Sequence, residues 1–185
     1  MAQRVAIQTA DFNLAEEIET LRKDDPRIGA VCSFVGTVRD RNPALSAAVA
    51  TAATVSAQDA RSPPLWPHQQ ASEQVLSMEL EHYPGMTEKA IEAMVDEAML
   101  RFDIFGARVV HRVGLLQPLD QVVMVAVTSA HRGESFKACE FLMDYLKTQA
   151  PFWKKEQTPG GARWVDARVS DDAALAKWGI HASNV

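Results

Sequence analysis

Apolar positions recur along this chain with more than one period. From Gln121 to Thr128 (QVVMVAVT) they are nearly continuous, which fits a central strand buried on both faces. Ser77 to Tyr83 (SMELEHY) instead alternates Met78, Leu80 and His82 against Glu79 and Glu81, as a half-solvated strand does. Arg4 to Gln8 alternates weakly and reads as a short strand. Ile28 to Val38 (IGAVCSFVGTV), rich in β-branched and aromatic residues, reads as another and delivers Arg39 at its exit, and Ala107 to Val113 carries His111 and Arg112 near its end.

Three stretches have helical spacing instead. Asn13 offers an N-cap with Glu16 three residues on, and Leu14, Ile18 and Leu21 share one face of a helix ending near Asp24 and Pro26. After a Pro84-Gly85 turn, Thr87 is the expected cap of a helix with stripe Ile91, Met94, Val95, Ala98 and Phe102. The third stripe is Phe136, Cys139, Leu142, Met143 and Leu146; this helix is entered through Ser129 to Gly133, holds Lys147 in its last turn and is stopped by Pro151. Phe152 to Glu156 and Ala162 to Arg168 then form a hairpin about Thr-Pro-Gly-Gly, followed by one short tail helix with Gly179 as its stop. Strands and helices alternate only partly. The pattern predicts α+β, a mixed or antiparallel sheet with packed helices and a small β-hairpin subdomain, rather than a doubly wound sheet.

One stretch belongs to neither pattern. From Asn42 to about Leu76 the chain is mostly Ala, Val, Ser and Thr, then adds Pro63, Pro64 and Pro67 and no glycine. A connection this long without clear period reads as a flexible insertion at about 42–76 in what is otherwise a single domain, 1–185. The N-terminus lacks the apolar core of a signal peptide, and Val122 to Val127 is far short of the roughly 20 residues of a membrane span. Two cysteines inside apolar runs make no disulfide framework, so a reducing cytoplasm is expected.

Charge sharpens the picture. Lys147 to Arg168 holds five cations against two anions, a net +3, so the remainder carries −8 of a chain whose total is −5. A cationic cluster on an acidic protein suits a small anionic substrate, because nucleic-acid binders usually carry a basic balance over the whole domain. Lys147 and Lys154 flank the proline stop, and a reversal there could bring both ammonium groups to one pocket, where each would disfavour the other's charge and fit a lysine for acid, base or nucleophilic work. The alternative is that Lys147 complements the helix C-terminus and Lys154 is a solvated strand cation. Arg39, Arg132 and Arg168 leave strand or turn ends and could fork onto a phosphate, or serve solubility alone. His131 and Arg132 stand at a helix start, where unpaired N–H groups favour an anion. His111 falls in strand alternation and reads as structural. There is no Gly-rich phosphate loop, no His/Cys metal spacing and no Gly-x-Ser-x-Gly elbow, so neither a metal nor a nucleotide cofactor is indicated.

FVGTVR (Phe34 to Arg39), LEHYPGMTEKA (Leu80 to Ala90), VTSAHR (Val127 to Arg132), and MDYLKTQAPFWKKE with GGARWVDAR resemble the large, catalytic subunit of molybdopterin synthase, in the right order from Ile28 to Arg168. The resemblance implies an α/β hammerhead fold and an enzyme that moves sulfur from the C-terminal Gly-Gly thiocarboxylate of a small ubiquitin-like subunit to cyclic pyranopterin monophosphate. It implies a central homodimer with one small subunit at each end. It places the two pocket lysines at Lys147 and Lys154 and the anion-binding positions at Arg39, His131, Arg132 and Arg168. The insertion after Arg39 departs from the family's short connection. Two other readings compete: a persulfide carrier using Cys32 or Cys139, and a non-catalytic module that only docks a ubiquitin-like tail.

Overall fold

The strand Gln121–Ser129 (β6) organises the molecule, because seven of its residues are buried and it pairs on both edges. The protein is described by a computed structural model covering residues 3–41, 74–165 and 176–179. In chain order the elements are β1 (Val5–Gln8), α1 (Leu14–Arg22), β2 (Ala30–Thr37), β3 (Ser77–His82), α2 (Met86–Arg101), β4 (Gly106–Arg112), β5 (Gly114–Leu116), β6, α3 (Arg132–Gln149), β7 (Phe152–Thr158) and β8 (Gly161–Val165). The expected insertion lies outside the described residues from 42 to 73, as do Arg168 and most of the tail.

Two four-stranded sheets result. The first has the order β1-β4-β6-β2, with β1 parallel to β4 and the other pairs antiparallel; the second, β5-β3-β7-β8, is antiparallel throughout. This is the mixed α+β architecture that the alternation of periods predicts. The first sheet is covered on both faces. On one side Ile91, Val95 and Ala98 of α2 and Phe141, Leu142 and Leu146 of α3 pack on Val109, Val125 and Val127; on the other Leu14, Ile18 and Leu21 of α1 pack near Val110, Met124 and Ala126. That two-sided cover explains why β6 is an unbroken apolar run. A smaller cluster of Val38, Met78, Leu80, Val113 and Leu116 joins the two sheets. Among the described residues no helix is long and apolar enough to cross a membrane.

Local chemistry agrees with the sequence at α1, where the Asn13 side chain accepts from the backbone of Ala15 (3.0 Å) and donates to Glu16 (3.0 Å). It differs at α2. The N-cap is Gly85, at φ +80°, a conformation glycine adopts without a Cβ penalty, and Glu88 accepts from the Gly85 amide at 2.6 Å. Thr87 is buried in the first turn instead, its hydroxyl donating to the carbonyls of Tyr83 and Pro151 and tying α2 to the chain after α3. Phe136, expected in the apolar stripe of α3, is 59% exposed. β5 is only three residues long and has no alternation from which to be predicted.

Candidate active site

The proline stop does what its position after a helix requires. Ala150, as the residue before a proline, leaves the helical region (φ −76°, ψ 126°), and the chain reverses into β7. Lys147 in the last turn of α3 and Lys154 in β7 thereby line one cavity of about 350 Å³, together with Phe34, Gly36 and Thr37 of β2, His111 of β4, Phe152 and the end of β8 at Val165. Its remaining wall is mostly apolar, including Leu80, Val123, Met143 and Leu146. Phe34 and Trp153 are partly exposed.

Lys154 also borders a second, smaller cavity of about 120 Å³, shared with Arg39, Arg41 and Glu156. The sequence reading of two mutually repelling amines left out Glu156. This carboxylate is 3% exposed and accepts from Lys154 Nζ and from the Arg163 guanidinium, each at 2.9 Å. Lys154 is therefore held in place by a buried anion. Lys147, among the described residues, has no ion-pair partner and is the ammonium left to meet an incoming anion.

Not every anticipated residue meets there. His131 is the N-cap of α3 and Arg132 its first residue, both exposed, and Lys147 lies fifteen residues further along the same helix. At 1.5 Å per residue that is roughly 22 Å, too far for one chain to bring the pairs together. Arg39 does reach the Lys154 side; Arg168 lies outside the described residues.

His111 is the residue that sequence reasoning passed over. Its ring is stacked on Phe152 with centroids 3.9 Å apart, and Nδ1 donates to the Arg112 carbonyl at 2.9 Å. Burial pushes its pKa down to about 4, helped by neighbouring His82 and opposed by the carbonyl bond, so the imidazole is neutral at neutral pH. The thiols behave differently. Burial, with Cys32 beside it, pushes Cys139 up to about 12, so it holds no thiolate near neutral pH. That removes the basis for Cys139 as a persulfide carrier.

The model of the MoaE protein family matches residues 67–149. A molybdopterin synthase catalytic subunit of Ralstonia nicotianae is 54% identical over 97% of this chain and 86% of its own. This chain belongs to the molybdopterin synthase catalytic subunit family. A solved molybdopterin biosynthesis MoaE protein from Burkholderia ambifaria is 50% identical, covers 98% of this chain with all of its own, and superposes with a TM-score of 0.71. A Helicobacter pylori chain solved as a complex of subunits 1 and 2 of molybdopterin-converting factor shares the fold alone, at 14% identity over 90% of this chain and 92% of its own, TM-score 0.62.

Proposed function

We propose that this chain is the catalytic subunit of a molybdopterin synthase and moves sulfur from the C-terminal thiocarboxylate of a small ubiquitin-like subunit to cyclic pyranopterin monophosphate. The observation that carries the reading is the meeting of Lys147 and Lys154 in one cavity. Donor and acceptor are both anions, so a cationic cleft offsets their repulsion and holds them in register. Lys147, on the cavity wall with no ion-pair partner among the described residues, engages or polarises the acyl group as its bond to sulfur breaks. Lys154, fixed by Glu156, serves as acid or base at the pterin side chain, with Arg39 beside it for the phosphate. The reaction runs in the cytoplasm, in keeping with two free thiols.

The separation along α3 supports the homodimer. His131 and Arg132 take part only if a second copy brings its own helix start to this cavity, and Arg168 joins the same anion-binding set by resemblance. The test is sulfur transfer from thiocarboxylated partner to precursor, with product pterin identified by mass. Lys147→Ala and Lys154→Ala should each abolish turnover while the partner still binds. Mixed dimers of Lys147→Ala with Arg132→Ala should regain activity that neither homodimer has; full activity in both lysine variants defeats the assignment.

A further inference from the structure

The two lysines leave the main cavity with a chemical gap. Ammonium and guanidinium groups only donate hydrogen bonds, so the cations that receive phosphate and thiocarboxylate offer nothing to a ligand's own N–H groups. A carboxylate would fill the gap at the cost of repelling both anionic reactants. A neutral imidazole fills it without charge, and one is present.

His111 is 9% exposed and lines the cavity beside Lys147 and Lys154. A carbonyl can only accept, so the 2.9 Å contact with the Arg112 carbonyl assigns the proton to Nδ1 and leaves Nε2 as a lone-pair acceptor. Stacking on Phe152 prevents the ring from turning away. Among the described residues Nε2 has no hydrogen-bond partner; nearby His82 faces Glu88 instead, at 3.8 Å. That acceptor belongs to a residue lining the cavity, where a ligand's N–H group can complete the bond.

Resting on the reading above, we propose that His111 orients the substrate by accepting, at Nε2, a hydrogen bond from an N–H group of its heterocycle. The lysines and Arg39 read charge; His111 reads the ring. It sets the plane in which the reacting carbons face the sulfur donor. The charged groups around it are Lys147 of α3, Lys154 and Glu156 of β7 and His82 of β3.

Two amides separate the functions of the ring. In His111→Asn the amide keeps the donor near Nδ1 and loses the Nε2 acceptor; in His111→Gln the amide oxygen reaches the Nε2 position. Calorimetric titration of the full chain with precursor should show His111→Asn binding about tenfold more weakly, equivalent to about 1.4 kcal/mol, and His111→Gln within about threefold of the parent. Inorganic phosphate, which probes the cationic part alone, should bind all three alike, and kcat at saturating precursor in the assembled enzyme should fall in His111→Asn more than in His111→Gln. In parent protein carrying ¹⁵N-histidine, the Nε2 resonance of His111 should move on adding precursor and stay on adding phosphate. Equal affinity in the three proteins, equal weakening in both variants, or an unmoved resonance overturns the assignment. If the parent protein binds no precursor at all, the functional reading falls with it.

Discussion

Glu156 is the group whose loss should be felt most widely. Both carboxylate oxygens accept from cations at 2.9 Å, Lys154 on one and Arg163 on the other, and the residue is 3% exposed. Glu156→Gln keeps the shape, removes the charge and turns an N–H group toward one of the two cations. Breaking a fully buried ion pair from one side costs about 3–5 kcal/mol. The two cations here keep side-chain exposures of 32% and 30%, so water screens part of the loss and about 2 kcal/mol is the expected figure. For a chain of this size each kcal/mol moves the midpoint about 2–4 °C, so Tm should fall by about 4–8 °C. With its tether gone Lys154 samples other rotamers, and kcat/KM for sulfur transfer should fall by about one to two decades. Thermal unfolding and the transfer assay read the two effects separately. Adding Lys154→Met should recover part of the lost stability but no activity, because the pair is coupled. Unchanged Tm and unchanged kcat/KM in Glu156→Gln would refute the idea that this carboxylate positions Lys154.

Other outcomes follow from the same geometry. Cys32→Ala with Cys139→Ala should keep turnover within a few-fold, since sulfur is not carried on a thiol; complete loss of transfer in a folded double variant would revive a persulfide route. Trp178→Ala should cost about 2–3 kcal/mol in urea unfolding, because the ring packs edge-on against Phe102 and Phe141 and its Nε1 donates to Asp144 at 2.9 Å. His111 should impose an acid dependence on stability. Its pKa is about 4 folded against about 6.5 unfolded, so between these values the unfolded chain binds the extra proton and stability falls as pH falls. The span amounts to about 3 kcal/mol, present above pH 6.5 and lost by pH 4; urea midpoints across that range should decline more steeply in the parent protein than in His111→Gln.

How much of this was legible in the sequence follows from how far apart the interacting residues are. The Lys147 and Lys154 convergence could be anticipated because it is local: seven residues, one proline, one reversal. The α1 cap and the two-sided burial of β6 are local in the same sense. What escaped is tertiary. β1 lies parallel to β4, a hundred residues on, and no periodicity encodes that pairing. Thr87 looks like a cap until the Pro151 carbonyl arrives from the end of α3. Glu156 reads as a hairpin anion until Lys154, two residues back on the same strand, and Arg163, its partner across on β8, both turn toward it. His111 was set aside because strand alternation separates a wet face from a dry one, and β4 has no wet face: both sides of its sheet are covered by helices. On such a strand a polar residue cannot be placed by period, and its burial is itself the signal. The ring is stacked on Phe152, forty-one residues later, and lines a cavity whose lysines can only donate, with one nitrogen that has no partner among the described residues. A histidine in a central strand covered on both faces is therefore better judged by which of its two nitrogens the backbone occupies than by its place in the alternation.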